Sequence, residues 1–173
     1  MSAPFLIAFA LVAALFDLRW RRIPNWLTVF GWTFGVTLQC IEHGWAGAKE
    51  ALLGSLVAFG VYVLMFALRA MGGGDVKLMT AVGAFTGPMQ WLSVFLIASM
   101  ASGVFALLTI WTKGEATRTA AGIGTILWEL VHLRAPFRTN PELDVSHSGA
   151  RTIPHGVAIA LAVVSLAIYR ASH

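Results

Sequence analysis

The chain holds three aspartates, Asp17, Asp75 and Asp144, and the first two stand where a carboxylate is costly. Asp17 follows an apolar stretch at 3–16, and Asp75 precedes another at 76–87. At 1.5 Å per residue these stretches span about 21 Å and about 18 Å, short of the roughly 30 Å of bilayer hydrocarbon. Both carboxylates are therefore expected slightly beneath the same membrane surface, where an ionisable side chain is a functional candidate by default. Two carboxylates that approach one another cannot both ionise cheaply, so they share a proton and titrate as a pair. The ionised partner can deprotonate a water while the protonated one polarises a carbonyl, the division of labour of an acid protease. Taken singly, each has a plainer role: Asp75 as the N-cap of a helix, Asp17 as an ion-pair partner of Arg21 or Arg22. Asp144, in the polar stretch 140–148, reads as a solvated loop residue.

The neighbours of Asp75 support the functional reading. Gly72, Gly73 and Gly74 remove three consecutive side chains just before the carboxylate. That is expected to permit a backbone conformation closed to other residues and to let an extended peptide approach. A flexible interhelical loop would have the same composition. Lys77 is two residues from Asp75, about 200° around a helix, which disfavours an ion pair and suits snorkelling toward lipid headgroups. No metal or other cofactor is implied: there is no HExxH motif, and the histidines at 43, 132, 147, 155 and 173 lack ligand spacing. His155 alone could approach the site, though a helix-end role suits it as well. Cys40 is the single cysteine and sits in an apolar stretch, which excludes an intrachain disulfide.

The elements that position these residues follow from composition. Of the 173 residues 58% are hydrophobic and 12% charged, with a mean hydropathy of +0.76. This excludes soluble, disordered and disulfide-framework classes and predicts an all-α polytopic membrane protein, a single domain over 1–173 in contact with the lipid bilayer. Six crossings are expected, from apolar stretches at 3–16, 27–41, 51–68, 76–87, 91–111 and 153–169, with Gly87-Pro88 turning the fourth into the fifth. The segment 122–133 is expected to be an amphipathic helix on the cytoplasmic surface. On this topology all but Lys49 and Arg170 of the 12 Lys and Arg fall on one side. The positive-inside rule makes that side cytoplasmic and both termini extracytoplasmic. No basic run tracks a phosphate backbone, so a nucleic-acid partner is not expected despite the pI near 9.8.

These motifs together resemble a known family. Asp17 followed by Arg21-Arg22-Ile23-Pro24-Asn25, then Gly72-Gly73-Gly74-Asp75-Val76-Lys77, then Ile153-Pro154-His155-Gly156, is similar to the type IV prepilin peptidases, membrane aspartyl proteases with a GxGD motif. The resemblance implies Asp17 and Asp75 as the catalytic pair, with Gly72, Gly73, Gly74, Pro24, Asn25 and Lys77 shaping the substrate site. It implies cleavage of a basic leader after a glycine, at the cytoplasmic face of the bacterial inner membrane, from a prepilin or pseudopilin precursor. Larger members carry a cysteine-paired cytoplasmic loop and an N-methyltransferase activity. Here only about ten residues separate the first two apolar stretches, so the chain resembles the short, peptidase-only branch associated with Flp (tight-adherence) pili.

Two other classes compete. In a small proton-coupled transporter, Asp17 and Asp75 would be relay carboxylates, but both lie near one face and no inverted repeat accompanies them. A non-catalytic scaffold for pilus assembly is compatible with the same apolar pattern. No Ser stands in a Gly-x-Ser-x-Gly context, which disfavours a serine protease.

Overall fold

A computed structural model describes residues 2–68, 71–113 and 155–172, all helical apart from short turns. Four helices follow in order: α1 (Ser2–Trp20), α2 (Asn25–Ala67), α3 (Gly73–Lys113) and α4 (His155–Ala171). The first three contain stretches long and apolar enough to cross a membrane, and α4 is a shorter apolar helix. The expected surface helix at 122–133, Ile153, Pro154 and Asp144 lie outside the described residues.

Helix α1 ends as Arg21 takes the left-handed conformation, φ 50°, while its amide still donates to the Asp17 carbonyl at 2.8 Å. Only residues 21–24 separate α1 from α2. Pro24 is extended (φ −63°, ψ 139°), and its carbonyl receives the amides of Leu27 and Thr28, which starts α2 at Asn25.

Helices α2 and α3 are each broken at one glycine. Gly44 (φ 60°, ψ −141°) and Gly87 (φ 69°, ψ 175°) occupy backbone regions that L side chains rarely enter. At Gly44 the chain reverses. Trp32 Nε1 donates to Ser55 Oγ at 3.0 Å, whereas a straight helix would hold these residues about 34 Å apart. The segment 42–50, between the apolar stretches expected at 27–41 and 51–68, is thus almost wholly helical, with Gly44 alone outside helical geometry. Gly87, followed by Pro88, breaks α3 at the position expected from sequence. Gly83 packs on Gly54, and moving away from Gly87 in either direction leads toward the C-terminal end of α2: Gly73 lies against Phe66, Phe95 against Tyr62. The two arms of α3 therefore run in opposite directions along the same arm of α2.

Small residues set the closest approaches. A Cβ on Gly54 would run into the Gly83 carbonyl, and one on Gly83 into the Gly54 carbonyl. Such backbone contact is how apolar helices associate where lipid offers no hydrophobic driving force. Around it lies a core of Ala10, Ala13, Tyr62, Leu78, Met79, Val82, Trp91, Val94, Ile159 and Val163. Large apolar side chains such as Leu15, Val29, Ile41, Leu64 and Trp111 point outward. A contiguous apolar exterior of this kind belongs against lipid.

Helix α4 closes the bundle antiparallel to the second arm of α3. Ser102 pairs with His155 at 2.8 Å, and Gln90 with Arg170 at 2.8 Å at the other end. The start of α4 also meets the end of α1 through Asp17 and Gly156.

Candidate active site

Several helix ends converge at one end of the bundle, and a cavity of about 410 Å³ opens between them. The end of α1 supplies Asp17, the link and the start of α2 supply Arg21, Arg22, Ile23 and Asn25, and the start of α3 supplies Asp75 and Lys77. Gly72, Gly73 and Gly74 form another wall, and His155 enters from the start of α4.

Asp17 is fixed by a partner 139 residues away: its Oδ2 accepts the amide of Gly156 at 2.8 Å. A carboxylate at a helix N-terminus satisfies an amide that has no intrahelical acceptor and sits at the favourable end of the helix dipole. The fit requires glycine, since a Cβ at 156 would lie 2.9 Å from that Oδ2 and 3.0 Å from the Asp17 Cβ. Asp75 occupies the first turn of α3, with its amide bonded to the Gly72 carbonyl at 3.1 Å. The two carboxylates line the same cavity.

Two expectations change in detail. None of Gly72, Gly73 and Gly74 has a positive φ, and a Cβ on any of them would meet its nearest neighbour at 3.6 to 3.7 Å, ordinary contact. The reason is that Gly73 and Gly74 are already helical, so the run does not serve an unusual backbone conformation. What it does is leave bare backbone on the cavity wall. Lys77, expected to snorkel, donates from Nζ to Asn25 Oδ1 at 2.8 Å and ties the start of α3 to the start of α2. Pro24 stands between the lining residues Ile23 and Asn25, where it sets the start of α2.

Of the polar residues around this cavity, Ser102 and Tyr62 carried no sequence signal, whereas His155 was the one histidine expected to be able to approach it. His155 both begins α4 and lines the cavity, and its Nδ1 is paired with Ser102 Oγ at 2.8 Å. Tyr62 is 0% exposed, and its ring lies 6.5 Å from that of His155. Among the described residues no three His, Cys, Asp or Glu side chains are placed to hold one metal ion.

Two aspartates thus face one cavity at an end of a bundle of apolar helices. The type IV leader peptidase family matches residues 4–107, more than half of the chain, and the chain belongs to that family. This segment contains Asp17, the glycine run and Asp75. Relatives include a prepilin leader peptidase/N-methyltransferase of Xanthomonas campestris pv. campestris, 28% identical over 133 residues, covering 73% of this chain and 46% of the relative. A protein of the same description from Myxococcus xanthus is 30% identical over 123 residues, covering 67% of this chain and 36% of the relative. A type 4 prepilin-like proteins leader peptide-processing enzyme of Escherichia coli O78:H11 is 30% identical over 124 residues, 63% and 43% of the two chains. The chain thus spans less than half the length of these relatives. No solved structure matches it.

Proposed function

We propose that the chain is a membrane aspartyl endopeptidase that removes the leader peptide of a prepilin or pseudopilin, with Asp17 and Asp75 as its catalytic pair. The observation that carries this reading is the convergence of the two aspartates, 58 positions apart in sequence, on one cavity at one end of the bundle. Family membership supplies the reaction class.

One carboxylate takes a proton from water as the resulting hydroxide attacks the scissile carbonyl, and the other, protonated, donates to the carbonyl oxygen. Collapse of the tetrahedral intermediate returns a proton to the departing amine, and the pair again shares one proton. The bare backbone at 72–74 offers a docking edge for an extended peptide. A helical peptide bond is shielded by its own hydrogen bonding, so cleavage after glycine, a poor helix former, suits such a site.

The rest of the proposal follows from the two glycine breaks and the charge distribution. With α2 and α3 each folded back, the chain makes six passes, places Arg21, Arg22 and Lys77 at the cavity end, and puts Lys49 and Arg170 at the other. The cavity then faces the cytoplasm from the bacterial inner membrane, with both termini outside. Only four residues separate α1 from α2 and Cys40 is the single cysteine of the sequence, features that support a peptidase of the Flp type without N-methyltransferase activity.

The test is co-expression with a Flp-type prepilin, following leader loss by gel shift. Wild type should convert the precursor, and Asp17→Asn or Asp75→Asn should each abolish conversion while accumulating normally. Conversion by either variant would remove the paired-carboxylate reading.

A further inference from the structure

Among the described residues, Tyr62 OH, His155 Nε2 and the Nε1 of Trp91, whose ring packs on Tyr62, are buried polar atoms without a hydrogen-bond partner. Apolar cores seldom retain such atoms, because an unsatisfied buried donor or acceptor loses its hydration with nothing in return. Their placement is specific. Tyr62 packs edge-on against Trp91 and Phe95, with ring centroids 6.3 and 5.9 Å away, so its ring has little freedom. His155 is anchored at Nδ1 by Ser102, which leaves Nε2 as its one uncommitted nitrogen. It is also the chain neighbour of Gly156, whose amide holds Asp17. His155 lines the cavity together with both aspartates, and the Tyr62 ring lies 6.5 Å from the His155 ring.

We infer that Tyr62 and His155 are positioning residues of the peptidase site, whose hydroxyl and Nε2 engage the Asp75 and Asp17 carboxylates when a leader peptide closes the cavity. Hydrogen bonds of catalytic groups are commonly long without substrate and tighten in the working complex. Each carboxylate then has a rigid partner: Tyr62 is held by two aromatic rings, His155 by Ser102. The inference rests on the peptidase reading.

The test is steady-state cleavage of a Flp-type prepilin by the purified full chain in detergent, comparing wild type with Tyr62→Phe, His155→Leu, His155→Gln and Ser102→Ala. Phe keeps the ring packing of Tyr62 and removes only the hydroxyl, so a purely structural role predicts an unchanged rate. The inference predicts that Tyr62→Phe and His155→Leu lower kcat about 10- to 100-fold with KM within about twofold, as expected for groups that orient reacting atoms. His155→Gln, which presents an amide near the position of Nε2, should recover part of the loss. If Tyr62→Phe fails to accumulate, His155→Gln and Ser102→Ala carry the test, with Ser102→Ala expected to lower kcat by freeing Nδ1. Wild-type kcat in both Tyr62→Phe and His155→Leu, beside inactive Asp17→Asn, overturns this inference and leaves the peptidase reading intact. So does a raised KM at unchanged kcat. Absence of cleavage by wild type overturns both.

Discussion

Asp17 owes its position to an amide at the far end of the chain. The Gly156 N–H reaches its Oδ2 at 2.8 Å, and a methyl group at 156 would press on the same oxygen at 2.9 Å. Gly156→Ala should therefore displace the carboxylate without disturbing the core, lowering processing about 10- to 100-fold at normal protein levels in the gel-shift assay. The glycine run behaves differently, because a Cβ at 72, 73 or 74 meets only ordinary contacts. Gly73→Ala should accumulate like wild type and act on substrate, raising KM for the prepilin more than it lowers kcat. Asp17 and Asp75 were legible in the sequence because carboxylates are rare here and these two adjoin shortened apolar stretches. The Gly156 contact was not, since no local pattern reports a pairing across 139 positions. Tyr62 was hidden for another reason. A tyrosine inside an apolar stretch reads as packing, and only the fold shows that its hydroxyl is buried without a partner among the described residues.

The breaks at Gly44 and Gly87 turn long helices into hairpins, and they differ in how openly the sequence announces them. Gly87-Pro88 is a recognisable turn signal because proline lacks the amide that would continue the helix. Gly44 lies between the apolar stretches expected at 27–41 and 51–68, yet this segment folds as helix on both sides of one residue. A Cβ at Gly44 would meet nothing within 4 Å, so the cost of substitution there is conformational alone. Gly44→Ala should destabilise the protein by about 1–3 kcal/mol in denaturant titration in detergent micelles. Gly60, helical and equally open, serves as the contrast. Gly60→Ala should be neutral or stabilising by up to about 1 kcal/mol.

The whole molecule places polar chemistry at one end of an apolar bundle. Ile41 is 75% exposed and Trp111 83% exposed, a surface suited to lipid and not to water. The membrane class was plain from composition, because an apolar exterior of this extent dominates residue counts. The proposed count of six passes depends on two reversals inside continuous helices, which composition does not report. Cysteine accessibility tests the proposed arrangement. In a Cys40→Ser background, Arg22→Cys should react with a membrane-impermeant thiol reagent only after the cells are opened, and Lys49→Cys should react in intact cells. Labelling of both from the same side would rule out the six-pass arrangement.

The central claim is that Asp17 and Asp75 act as one unit, and the residual turnover of the single and double variants tests it most directly. Groups that share one catalytic step are strongly non-additive. Purified Asp17→Asn, Asp75→Asn and the double variant should all cleave a Flp-type prepilin at the same residual rate, on the order of 10³-fold or more below wild type. A double variant slower than either single by the product of their separate losses, or a single variant that keeps wild-type turnover, would contradict the shared site.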